Sequence, residues 1–105
     1  MERIRSIEEF LSLIESEDNF YFLKHSATCP ISMNAYRENE SFVADEQVKG
    51  YYLVVQEDRP LSNYIADTYS IRHESPQVFL FQNGKPVWHT SHWNITKEQL
   101  QKTTR

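Results

Sequence analysis

Apolar and polar residues fall in blocks along this chain, and the block lengths separate helices from strands. Ser6-Ile7-Glu8-Glu9 has the capping-box pattern, with Ser6 as N-cap and Glu9 three residues later. Ile7, Phe10, Leu11 and Ile14 follow at helical spacing, which predicts a helix over residues 7–16. Phe20-Tyr21-Phe22-Leu23 is a continuous apolar run too short for a helix. It predicts a buried strand ending near His25. Ser26-Ala27-Thr28 reads as a short loop, and Cys29-Pro30 follows it. Proline suits the first position of a helix, where its missing N–H costs nothing. A second helix is expected from there to about residue 41, with Ile31, Ala35 and Phe42 on its inner face.

Residues 43–50 are polar and end in Gly50, and Tyr51 to Val55 forms a second buried-strand pattern. Asp58-Arg59-Pro60 opens a third helix, with Leu61, Tyr64, Ile65 and Tyr69 on one face. Ser75-Pro76 breaks the chain before Val78-Phe79-Leu80-Phe81, which is apolar on both faces and predicts a central strand. Asn83-Gly84 is a two-residue hairpin signal, so Val87 to about Ser91 returns antiparallel. Thr96 caps a last helix over residues 97–102. The order α-β-α-β-α-β-β-α, with helices between the first strands, implies an α/β fold. Its central mixed sheet has about four strands flanked by helices.

A length of 105 residues suits one domain spanning 1–105. Six Phe and six Tyr supply much of the core, and a domain of this length can bury enough surface to fold without disulfides or metals. A net charge of −4 argues against a nucleic-acid partner. No apolar run approaches the ~18 residues that span a bilayer, and the charged N-terminus is unlike a signal peptide. The expectation is a cytoplasmic protein with neither membrane nor nucleic acid among its partners.

The single cysteine rules out an internal disulfide and a four-cysteine zinc site. Cys29 follows a buried strand and opens a helix. A thiol there meets the positive end of the helix dipole and free backbone N–H groups, which favour the nucleophilic thiolate. The competing reading is an inert, buried cysteine. Ser32 lies one helical turn on, where its hydroxyl either donates to the thiolate or satisfies a backbone group. Trp93 precedes the last helix and either walls a ligand or packs the hairpin against that helix. Arg72, His92, His73 and His25 form a candidate basic rim, weighed against ordinary solvated side chains. His89 and His92 face opposite ways in a strand, so no metal site is expected.

Strand, Thr28-Cys29-Pro30-Ile31-Ser32, helix, and then Ser75-Pro76 opening a central strand resembles the thioredoxin fold. More narrowly, the T-C-P-I-S motif in this setting resembles the YtxJ-like monothiol bacilliredoxins, over nearly the whole chain. The resemblance implies a thiol-disulfide oxidoreductase with Cys29 as the catalytic residue and Thr28, Pro30 and Ser32 supporting its thiolate. It implies that Pro76 is cis and faces the cysteine. It further implies that the backbone of Ser75 pairs with substrate; such a fold brings the segments of Trp93, Arg72 and His92 toward the cysteine, which makes them the candidate substrate-binding residues. The implied reaction removes bacillithiol, a thiol of cysteine, glucosamine and malate, from mixed disulfides with client proteins. No bound cofactor is implied. Bacillithiol is the thiol co-substrate, and another thiol or redox protein regenerates Cys29. Ordinary thioredoxins carry a buried Asp on the first central strand; Phe20 to Leu23 has no acid, consistent with a chain that has no resolving thiol to deprotonate. The alternative is a non-catalytic thioredoxin-like interaction module, with a groove at Ser75-Pro76 that holds peptide without turnover.

Overall fold

The computed structural model describes residues 1–104, in the order β1 (Glu2–Arg3), α1 (Ile7–Ser16), β2 (Asn19–His25), α2 (Pro30–Glu46), β3 (Gly50–Val54), α3 (Arg59–Tyr69), β4 (Gln77–Gln82), β5 (Lys85–Ser91) and α4 (Lys97–Lys102), with a single 3₁₀ turn, His92–Asn94, before α4. The strands form one mixed sheet, β1-β3-β2-β4-β5. β1 and β2 both run parallel to β3, while β4 is antiparallel to β2 and to β5. The fold is the expected thioredoxin-like α/β arrangement, with five strands rather than about four.

The central position of β2 explains its sequence. Alternate residues of a strand face opposite sides, and here both sides are covered. Phe20 and Phe22 join Phe79 and Phe81 of β4 beneath α1 and α3, where Phe10, Leu61 and Ile65 also lie. Tyr21 and Leu23 join Val78 and Leu80 beneath α2 and α4, with Ala35, Phe42 and Leu100. Rings meet edge-on at Phe10–Phe22 (5.3 Å) and stacked at Phe20–Phe81 (5.0 Å), geometries that add to simple burial. The same alternation sends Lys24 toward α3 and His25 toward α2.

Three differences from the sequence reading have local causes. α1 buries Phe10 and Leu13 and leaves Leu11 exposed, because its inward stripe is rotated by part of a turn. α2 runs five residues past 41, to Glu46, and ends with Gln47 in the left-handed region at φ 53°. Its buried face holds Ser32, Ala35, Asn39 and Phe42; two of these are polar, so the apolar period is weak, and Ile31 is only half-buried. β1 is two residues long, below what any pattern resolves. It is held by Arg3, whose guanidinium donates through Nε and Nη2 to the two carboxylate oxygens of buried Asp58, both at 3.1 Å. Asp58 also accepts from the Val54 N–H at 2.9 Å.

At the other edge the β4–β5 ladder shifts register between Leu80 and Phe81, where Pro86 stands opposite Phe81. Gly84 in the connecting turn has φ 80°, the conformation the Asn-Gly pair supplies.

Gly50 starts β3 directly under α2. A Cβ there would lie 2.5 Å from Val43 Cγ2, and a helical valine has little rotamer freedom to retreat. Gly50→Ala is therefore expected to lower unfolding free energy by about 1–3 kcal/mol, measured by urea denaturation. Adding Val43→Ala should return most of the loss; an additive double mutant would contradict the contact.

Candidate active site

The C-terminal ends of β2 and β3 and the start of β4 share one edge of the sheet. His25 pairs with Val54, and the Val55 N–H donates to His25 O at 2.9 Å. Lys24 pairs with Gln77, which puts Pro76 beside the last residue of β2. Gln77 also pairs with Ser91, and the His92 N–H donates to Pro76 O at 3.0 Å. The loops 26–29, 55–58, 70–76 and 92–95 therefore all leave from this edge.

Cys29 is the N-cap of α2, in extended conformation, with Pro30 in the first helical turn. Its carbonyl accepts the Met33 N–H at 3.0 Å, and its side chain makes no capping bond. The thiol is free and the residue partly exposed, not sealed in the core. The Ser75–Pro76 peptide is cis.

The loop before Cys29 is fixed by side chains. The Ser32 hydroxyl oxygen, fully buried, accepts the Ser26 N–H at 2.8 Å and meets His25 Nδ1 at 2.8 Å. Of the two readings of Ser32, the geometry favours the backbone one: its bonds run to Ser26 and His25, on the side of α2 turned to the sheet. Gln56, just past β3, adds three bonds. Its Oε1 accepts the Ala27 N–H at 3.2 Å, and its Nε2 donates to Ser26 Oγ at 2.8 Å and Thr28 Oγ1 at 3.3 Å. Thr28 thus contributes to holding the loop.

A second glutamine does the same for the loop ahead of Pro76. Buried Gln77 donates from Nε2 to Arg72 O at 3.0 Å and accepts the Glu74 N–H at Oε1, 3.3 Å. The Ser75 hydroxyl, in contrast, is buried with no hydrogen-bond partner among the described residues.

The basic rim divides. Arg72, His73 and His92 are exposed at this edge. His25 is not part of the rim: it is buried, tilted against Tyr36 at 5.1 Å, and burial holds its pKa below the ordinary value of 6.5, against an opposing contribution from Ser32. Sequence spacing could not tell an end-of-strand histidine pointing into the sheet–helix interface from one pointing out. Trp93 is 66% exposed, so it does not pack the hairpin against α4. The 3₁₀ turn that carries it packs on α2, whose first turn exposes Met33. Met33 and Trp93 are thus two exposed apolar side chains, one on α2 and one on the turn packed against it.

The family model for monothiol bacilliredoxin BrxC matches residues 2–100. The chain belongs to the monothiol bacilliredoxin family. Among solved structures, one described as a candidate oxidoreductase with a thioredoxin fold is 42% identical, with a TM-score of 0.95 over 99% of this chain and 93% of that one. Fasciola hepatica thioredoxin shares 18% identity at a TM-score of 0.77, covering 98% and 95% of the two chains. Chloroplastic thioredoxin z shares 24% at 0.78, covering 98% and 89%. The last two share the fold. In this member of the family the lone thiol stands at a helix opening, and the cis proline lies at the same end of the sheet. No helix among the described residues is long and apolar enough to cross a membrane.

Sequence reasoning missed Gln56 and Gln77. Neither stands in a motif, and both act on backbone groups that only the folded edge brings near them.

Ser32→Ala would leave the buried Ser26 N–H and His25 Nδ1 unpaired, which costs about 1–3 kcal/mol and is read from urea midpoints. The two shifted histidines also set a pH dependence. His25 and His73 both have folded pKa values below 6.5. Near and below that pH the unfolded chain binds protons that the folded chain refuses, so stability falls as pH drops through about 6.5. Midpoints at pH 7.5 should exceed those at pH 5.5, and His25→Gln should narrow the gap.

Proposed function

We propose that this bacilliredoxin removes bacillithiol from mixed disulfides on client proteins, with Cys29 as the nucleophile. The Cys29 thiolate attacks the bacillithiol sulfur of the client disulfide. A Cys29–bacillithiol disulfide forms, the client–bacillithiol bond breaks, and the electron pair leaves on the client sulfur, which takes up a proton. The 105 residues hold one cysteine, so the second step needs an outside thiol. A low-molecular-weight thiol or another redox protein attacks the Cys29 disulfide, releasing bacillithiol as part of a new disulfide and Cys29 as thiolate.

The observation that carries this reading is the placement of the only thiol. It is partly exposed at the N-terminus of a 17-residue helix, the end of a helix whose dipole favours negative charge. Thr28 and Ser32 hold the turn that presents it, and Pro30 gives the helix its first residue. Met33 and Trp93 offer apolar surface to the client or to the sugar ring, and Arg72 and His92 offer polar groups to its carboxylates. The backbone of Ser75 is the docking strand for the client main chain.

Wild-type protein incubated with oxidised bacillithiol is expected to gain the mass of one bacillithiol, and Cys29→Ala none. A bacillithiolated client should regain its free thiol only with wild type, read by mass spectrometry. Equal action on that client by Cys29→Ala would replace this reading with a binding module that works without turnover. Arg72→Glu should slow the wild-type reaction about tenfold, as one charge-assisted contact is worth, and an unchanged rate removes Arg72 from the substrate surface.

A further inference from the structure

The face of β2 that carries Phe20 and Phe22 also carries Lys24. It has no solvent-exposed surface. Its Nζ donates to Ser62 O in α3 at 3.0 Å, lies 5.8 Å from the centre of the Phe79 ring, and sits 3.2 Å from His73 Nδ1. Among the described residues no carboxylate pairs with it; Asp67 acts only through space. A buried ammonium held by neutral acceptors is a costly arrangement where a methionine would fill the same space.

What the lysine does is legible at His73. Burial lowers the Lys24 pKa to about 8, so at neutral pH it keeps its proton. An ammonium only donates, so His73 Nδ1 must accept, and Ser62 Oγ meets the same nitrogen at 3.2 Å. The ring proton is then on Nε2. Burial and the charges of Lys24 and Arg59 keep the imidazole neutral, with Glu74 opposing them. The Nδ1 side is tied inward and the residue is exposed, so the Nε2–H side faces out. His73 stands three residues ahead of cis-Pro76, on a loop whose neighbours Arg72 and Glu74 are pinned by Gln77. A fixed N–H donor with a positive charge directly behind it is complementary to an anionic oxygen.

We propose that Lys24 is a positioning residue that fixes His73 as a neutral Nε2–H donor for a carboxylate on the disulfide substrate of Cys29. The inference rests on the reading of Cys29 as a thiol-exchange nucleophile and adds the group that selects the substrate. Lys24 itself touches no substrate.

The test compares one client peptide carrying either bacillithiol, with its malate carboxylates, or cysteamine, which has none. Wild type should exchange the bacillithiol disulfide faster. In Lys24→Met and in His73→Ala the ratio of the two rates should fall about tenfold. Lys24→Met should melt at pH 7 at or above the wild-type temperature, since it removes a buried charge. In ¹⁵N-imidazole spectra His73 should be the Nε2–H tautomer in wild type, and in Lys24→Met it should become a tautomer mixture with a higher pKa. His73→Ala alters an exposed residue, so it remains informative if Lys24→Met fails to fold. An unchanged rate ratio in His73→Ala, or a wild-type Nδ1–H tautomer, overturns the inference. Should wild type exchange neither disulfide, the function proposed above fails, and the Lys24–His73 pair is then judged by titration with malate. A shift at His73 in wild type that is lost in Lys24→Met upholds it; no shift overturns it.

Discussion

The geometry of the thiol depends on one buried hydroxyl. Ser32 sits on the inward face of α2, and its oxygen joins the Ser26 N–H to the ring of His25. Those contacts tie the last residue of the central strand, the loop that follows and the first turn of the helix into one unit. Ser26 would otherwise leave a buried N–H without a partner, and the interior penalises that heavily. The helix is therefore held where its opening turn faces out at the sheet edge, and Cys29, as N-cap, goes with it. Gln56 fastens the outer side of the same loop and Gln77 does so for the loop ahead of Pro76. The site is a set of short loops clamped from the rigid sheet beneath.

The central strand shows how a small domain makes room for polar chemistry. From Phe20 to Leu23 it is core, with Phe20 and Phe22 on one face and Tyr21 and Leu23 on the other. Its last two residues, Lys24 and His25, are both buried and both polar. They point to opposite faces, one bonded to α3 and the loop before Pro76, the other to α2. Each polar residue is satisfied by a neighbour of opposite hydrogen-bonding character, which is the condition for tolerating it inside.

Much of this was legible in the sequence, for reasons that can be named. Long apolar runs bounded by turn residues gave the strands of the sheet interior, and caps at Ser6 and Thr96, both seen to accept N–H bonds from Glu9 and Gln99, gave two helix starts. Cys29-Pro30 after a strand marked the site, because few arrangements put a thiol at a helix opening. The end of α2 was not legible, since Asn39 and Ser32 lie on its buried face and blur the apolar stripe. β1 was too short to leave a pattern. His25 was misplaced on the rim because the parity of β2, not the residue type, decides which way it points. Lys24 did leave a signal: one charge at the end of an otherwise apolar strand, in a position that alternation makes internal.

The two margins of the sheet have a consequence for the molecule in a crowded solution. One border is a two-residue strand, and the other carries a proline, lacking an N–H, at a step in the ladder. Both features shorten the row of free amide groups on which a second copy could stack, which is how unguarded β-structure begins to polymerise. Each border thus works against edge-to-edge pairing by a different device, one by brevity and the other by a missing donor.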